Sequence, residues 1–272
     1  MNNKTLNNRI LKNIIIDKAK ECNLNCNDKG YLNCNTDNLM FDKGLWGKFQ
    51  HEFVNGQGSE LKSKFNAVHS SAALCVNNFA LFKEKFKEVS FCEYSDFTEA
   101  VFEKKLPTGI STPNLDFYLE NKDFIIGIES KFTETLSKKL PNQNQNLEKY
   151  LNRSQLNYLD TSFNRLINYY IKCTEKKHLD CAQLIKHAIG LIKAGKEKKK
   201  PVLVYLYWLP KNYNEFEVFK KHSEEVVEFT CKIKELIDFV PMSYLDFWNT
   251  YQKQEIMRKA VENLRKRYEF DI

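Results

Sequence analysis

The sequence predicts an α/β fold, a central mixed β-sheet flanked by α-helices, and three features of the chain carry that prediction. Helical patterning comes first. A run of strand signals follows over residues 99–132, and then come helices and PVLVYLYWL (201–209), which is nearly all apolar. A strand apolar on both sides needs cover on both faces. Helix, strands, helix and buried strand is the order of an α/β sandwich with a mixed sheet.

Taken in order, residues 4–20 set Leu6, Ile10, Leu11 and Ile14 to Ile16 among lysines and asparagines, the pattern of an amphipathic helix. Residues 22–58 are rich in Asn, Asp and Gly, with Trp46, Phe49 and Phe53 towards the end, and read as irregular chain with one short helix. Ser70 opens a helix that runs to Lys87. Glu99–Leu106 reads as a strand ended by Pro107-Thr108-Gly109. Asn114–Leu119 and Phe124–Phe132 read as a hairpin about a turn at residues 120–123. The Asn/Gln/Lys-rich stretch 137–157 is expected to be a mobile loop or irregular insertion. Residues 161–174 and 179–195 read as helices, 216–239 as one long helix, 241–251 as a connector and 252–268 as a charged helix. A single domain is expected, with helical elaborations at about 1–57 and about 214–272.

With 42% hydrophobic and 28% charged residues, the 272-residue chain has the composition of a globular protein, not a disordered one. No apolar run approaches the roughly 20 residues that span a bilayer. The polar N-terminus lacks a signal-peptide pattern, so the expected location is the cytoplasm, with no membrane partner. Among eight cysteines, Cys22, Cys26 and Cys34 form the one cluster, and no nearby histidine completes a zinc site. Reduced thiols are expected. A net charge of +7 suits a polyanionic partner without requiring one.

The chemistry concentrates on the hairpin. Glu129 and Lys131 form a Glu-x-Lys triplet, but so do residues beginning at Glu60, Glu103, Glu120, Glu175 and Glu197, and the triplet alone selects nothing. Strand alternation separates them, because Gly127, Glu129 and Lys131 share one face. A turn at 120–123 places Asp116 across from Gly127 and diagonal to Glu129, a span of about 7–8 Å that one cation can bridge. Gly127 is expected to leave room there. Leu115, Phe117, Leu119, Ile126, Ile128 and Phe132 form the opposite, core face. Two acids and a backbone carbonyl, that of Ser130, suffice for Mg²⁺, which keeps several waters. Such a metal polarises a phosphoryl oxygen and lowers the pKa of bound water, and an adjacent lysine orients the water or stabilises developing charge. A solvent-facing charged strand pair with an incidental salt bridge would show the same pattern.

Pro113-Asn114-Leu115-Asp116 followed by Gly127-Ile128-Glu129-Ser130-Lys131 resembles the PD-(D/E)xK nuclease signature, with Asn-Leu inserted between proline and acid. The resemblance implies that Asp116 and Glu129 hold the metal, that Lys131 is the catalytic lysine, and that the core is restriction-endonuclease-like. Five segments, GSELKSKFNAVHSSAAL (58–74), KLPTGISTPNLDFYLE (105–120), IESKFTE (128–134), LDCAQLIKHAIGL (179–191) and VYLYWLP (204–210), are similar to a bacterial family of restriction endonucleases assigned largely by signature. Many nucleases of this type carry an upstream acid. Glu60 is the candidate, with Glu52 and Glu103 as rivals and a solvated helix-cap role as the alternative. In one branch a glutamine on the helix after the Glu-x-Lys strand reaches the site, and Gln183 holds that position.

Lys186 and His187 are expected at the surface, and Ser70 or Ser71 as an N-cap rather than part of a triad with His69. The lysine run 196–200 is expected to be a solvated loop. The reading that results is a Mg²⁺-dependent endonuclease, with Mn²⁺ as substitute, acting on DNA, most simply double-stranded, in restriction or defence, with a homodimer in view. The alternatives are a catalytically silent nucleic-acid-binding module of the same fold, and a nuclease for RNA or for branched or damaged DNA.

Overall fold

Five strands form one mixed sheet in the order β1–β2–β3–β4–β5: β1 (Glu99–Lys105), β2 (Asn114–Glu120), β3 (Phe124–Lys131), β4 (Lys200–Tyr207) and β5 (Asp238–Ser243). β1, β2 and β3 pair antiparallel, whereas β3, β4 and β5 run parallel. The structure is a computed structural model and describes residues 6–54, 64–142, 146–151, 153–196 and 198–272.

Eight α-helices among the described residues cover the sheet: α1 (Asn8–Glu21), α2 (Lys43–Val54), α3 (Ser71–Glu84), α4 (Thr161–Lys172), α5 (Cys181–Gly195), α6 (Glu217–Ile233), α7 (Tyr244–Tyr251) and α8 (Glu255–Tyr268). The α/β fold is as the sequence predicts. One face packs Phe102, Phe117, Ile128, Val204 and Leu206 against α1–α3, α7 and α8. The other packs Tyr118, Ile125, Leu203 and Tyr205 against α4, α5 and α6. β4 alternates between the two clusters, which is why its sequence is apolar throughout. None of the described helices is long and apolar enough to cross a membrane.

Several local expectations are corrected. The long helix read at 216–239 stops at Ile233, and the stretch read as a connector supplies β5 and α7. Pro241 lies inside β5, which is tolerated because β5 is an edge strand. Among the described residues of 137–157 there are two short 3₁₀ turns, Leu147–Tyr150 and Ser154–Leu156, with Leu147, Tyr150 and Leu156 buried in the second cluster. The N-terminal segment forms a 12-residue helix, α2, that buries Trp46, Phe49 and Phe53.

The hairpin turn is tighter than the sequence suggests. Asn121 N–H donates to the Phe124 carbonyl at 3.0 Å, and Asn121 Oδ1 accepts from the Asp123 and Phe124 amides. Pairing therefore sets Tyr118 across from Gly127 and Phe117 across from Ile128, two residues away from the expected register. A shift of two leaves the faces unchanged, whereas a shift of one would have exchanged them. Leu115 breaks the alternation. It lies in the second cluster while Phe117 lies in the first, so side-chain alternation breaks about Asp116 although the register with β1 is the same on both sides of it. The partner strand is irregular at the same level, where Glu103 has φ 53° between the paired residues Phe102 and Lys104. A non-glycine residue in that region costs of order 1–3 kcal/mol and marks a place where regular pairing gives way.

Gly127 does not clear space for a cation. A Cβ there would lie 2.5 Å from Leu115 Cδ1 and 2.9 Å from Leu191 Cδ1, so its room is filled by packing. Gly190 acts similarly on α5, where a Cβ would sit 2.6 Å from Leu106 Cβ and 3.3 Å from its carbonyl oxygen. These two glycines bring α5 close to the sheet. Gly190→Ala is expected to cost about 1–3 kcal/mol by overpacking, read as a lowered midpoint in denaturant unfolding; an unchanged midpoint would show that α5 tolerates displacement.

Candidate active site

A cleft of about 550 Å³ opens where β2 begins and β3 ends, and Asp116, Glu129, Ser130, Lys131 and Gln183 all line it. Glu103, Asn114, Glu134, His69, Lys12, Lys64 and Tyr31 share the lining. Regular pairing between β2 and β3 stops at Phe117 and Ile128. Beyond that level Asp116 Oδ2 accepts the Ser130 amide at 2.7 Å, which ties the two strands together by a side chain. Ser130 Oγ lies 2.7 Å from the Tyr244 hydroxyl, anchoring the residue between the acids and α7.

Glu129 is 2% exposed, and a charge so buried needs partners. Lys131 Nζ donates to Glu129 Oε1 at 2.5 Å and to Gln183 Oε1 at 2.9 Å. His187 Nε2 lies 2.9 Å from Glu129 Oε2, although neither atom makes a well-aligned hydrogen bond. α5 delivers both helical residues because its rise over four residues, about 6 Å, matches two residues of strand, about 6.6 Å. Gln183 therefore meets Lys131 while His187 meets Glu129. His187 was expected at the surface and is instead 1% exposed. Its spacing of four from Gln183 was the available signal, since the two must share a helix face.

Burial opposes ionisation of Glu129, but Lys131 and then His187 hold its pKa below the usual carboxylate range. Burial likewise disfavours the Lys131 ammonium, and the surrounding acids, Glu129 foremost, more than restore it. Asp116 goes the other way: burial and then the Glu129 charge raise its pKa well above 3.8. The pair of acids is short of positive charge. Both are hard oxygen donors, and Glu129 Oε2 is buried without an aligned donor, which fits a divalent cation held by Asp116, Glu129 and the Ser130 carbonyl. Among the described residues no three His, Cys, Asp or Glu side chains converge as a metal cage, so such a cation would keep much of its water.

The upstream acids separate clearly. Glu60 lies outside the described residues. Glu52 is engaged elsewhere, accepting the Phe102 amide at 2.8 Å and pairing with Lys83 at 2.8 Å, which closes the open edge of β1. Glu103 does line the cleft, and Asn114 Nδ2 donates to its Oε2 at 2.8 Å. Ser70 caps α3, accepting the Ala73 amide at 3.2 Å. His69 joins the cleft wall with its pKa lowered to about 4 by burial and the nearby Lys12 charge. Lys199 and Lys200 pair with Glu120 and Asp238 at the other end of the sheet. Cys22 bonds to the Lys266 carbonyl, far away in sequence, and Cys34 bonds to Asn35 and Thr36; among the described residues they do not converge with Cys26 as a metal-binding group.

A model of the family described as Restriction Endonuclease associating with ARP matches residues 12–269. No curated protein and no solved structure matches the chain.

Two outcomes follow from the charges. An acid with a raised folded pKa weighs nothing against the fold below its unfolded pKa and increasingly destabilises as pH climbs through the folded value. Metal-free Asp116→Asn should therefore melt higher than wild type at pH 8, by about 2–4 °C per kcal/mol removed, with the gain gone below about pH 4. A lower melting point at pH 8 would show that Asp116 is not under charge strain. His187→Asn should weaken Mn²⁺ binding about 10–100-fold by calorimetry; unaltered affinity would show that His187 does not support Glu129.

Proposed function

The chain belongs to the family of restriction endonucleases associating with ARP, and on that premise we propose that it is a Mg²⁺-dependent PD-(D/E)xK nuclease hydrolysing DNA phosphodiesters in restriction or defence. The observation that supports this most is the convergence of Asp116, Glu129, Lys131 and Gln183 on one cleft, with Asp116 raised in pKa by burial and the second acid. Mn²⁺ would serve in place of Mg²⁺ because the donors are the same hard oxygens.

Each side chain has a distinct part. When bound, the cation supplies Lewis acidity at a phosphoryl oxygen and a more acidic water. Asp116 and Glu129 bind, and the Ser130 amide fixes the Asp116 carboxylate at 2.7 Å. Lys131 stays charged at neutral pH, so it donates to the attacking water or to the phosphoryl oxygens and does not act as a base. Gln183 accepts from Lys131 and restrains its swing. Glu103 takes the place of the upstream acid, since it lines the cleft whereas Glu52 is committed to Lys83 and β1.

One observation favours the silent-module reading: both oxygens of Glu129 lie within 2.9 Å of a basic nitrogen already. Cleavage of plasmid and linear DNA separates the two. Wild type with Mg²⁺ should cut and should stop on addition of EDTA. Asp116→Ala and Lys131→Ala should each lose about 10²-fold or more, the scale of removing one transition-state donor, and Glu103→Gln should lose activity while Glu52→Gln loses only stability. Equal activity in wild type, Asp116→Ala and Lys131→Ala would remove the nuclease assignment.

A further inference from the structure

The cleft lining also includes residues of a different chemistry. Lys12, Tyr31, Lys64 and His69 lie there, on α1, on the loop after it and on the approach to α3. Of the five large hydrophobic side chains exposed among the described residues, Tyr31 is the one that lines the cleft, at 38% exposure. Its ring meets His69 edge-on, with centroids 6.2 Å apart.

The backbone under Tyr31 is built firmly. Asn27 Oδ1 accepts the Lys29 and Tyr31 amides at 3.0 Å, and Asn27 N–H donates to the Tyr31 carbonyl. Gly30 turns the chain at φ 80°, where a Cβ would lie 2.8 Å from Ile16. Tyr31 then bridges antiparallel to Ala67, flanked by bonds from Val68 N–H to the Gly30 carbonyl and from Leu32 N–H to the Asn66 carbonyl. A rigid turn thus presents an aromatic ring to water, beside a site for phosphate chemistry. Exposure of that ring gains nothing for the core.

Resting on the nuclease reading, we infer that Tyr31 is a stacking platform for an unpaired base next to the scissile phosphate, with Lys12 and Lys64 drawing in the flanking phosphates. Inside a duplex both faces of a base are already stacked, so an aromatic wall can engage only a base that is single-stranded, terminal or turned out. His69 is neutral at physiological pH, so it completes the wall without adding charge. The inferred preference is for a strand with at least one unpaired base over plain double-stranded DNA.

Binding in EDTA, by fluorescence anisotropy, tests this without cleavage. The probes are one 20-nucleotide DNA strand, the RNA strand of the same sequence and the blunt DNA duplex. Wild type should bind a single strand more tightly than the duplex. Tyr31→Ala should weaken single-strand binding roughly 5–100-fold, from about 1–3 kcal/mol per stacked base, and Tyr31→Phe should restore it. Duplex binding should change little in either variant. Lys12→Ala should weaken all probes alike and flatten the salt dependence. The DNA and RNA strands then report which sugar the wall accepts. Single-strand binding unaltered in Tyr31→Ala, or a duplex bound as tightly as the strand, overturns the inference. The nuclease reading fails separately, by absence of Mg²⁺-dependent cleavage of single-stranded and duplex DNA alike.

Discussion

A carboxylate that is 2% exposed cannot remain ionised on its own, and the arrangement of this molecule around Glu129 follows from that constraint. Lys131 comes from the same strand face, two residues on. His187 comes from α5, and Gln183 then holds Lys131 from one helical turn away. For α5 to reach, it must pack closely on β3, which is where Gly127 and Gly190 matter. The polar cluster and the apolar packing beneath it are therefore one design: glycine contacts set the distance at which the charges meet.

The same charges explain why Asp116 is poised. Lys131 and His187 face mainly Glu129, so the second acid is left with burial and a like charge beside it. The register that pairs Phe117 with Ile128 brings Asp116 level with Glu129 on the same face. The turn of Leu115 into the second cluster, and the positive φ of Glu103 on the neighbouring strand, occur at the level of Asp116. The cost of that irregularity is local, and regular pairing resumes at Phe117.

How far this was legible in the sequence depends on which periodicity a residue obeys. Glu129 and Lys131 were readable because β3 alternates regularly, and a register error of two residues did no damage to their face. Leu115 was misplaced because a local break in alternation, with the register kept, leaves no mark in composition. Gln183 and His187 carry the helical spacing that joins them, but only the burial of α5 against β3 shows that their shared face is interior. β5 was hidden by Pro241 and by the long helical pattern before it, since an edge strand needs no alternation strong enough to override a proline. Glu52 and Glu103 look alike in sequence. What separates them is that one closes the β1 edge with Lys83 and the other sits at the strand irregularity beside Asp116.

The two ends of the sheet use charge in opposite ways. At the hairpin tip, Lys199 meets Glu120 and Lys200 meets Asp238, pairs that are partly exposed and balanced. Such pairs contribute at most about 1 kcal/mol and attract nothing further, because each charge is already answered. At the cleft, acids share the lining with lysines and an aromatic ring. On the nuclease reading, a phosphodiester strand suits such a lining: its phosphate would be drawn by the lysines, and its base is apolar on both faces. On that reading the mixed lining would favour a polyanion with a flat apolar side group more specifically than the net charge of +7 does.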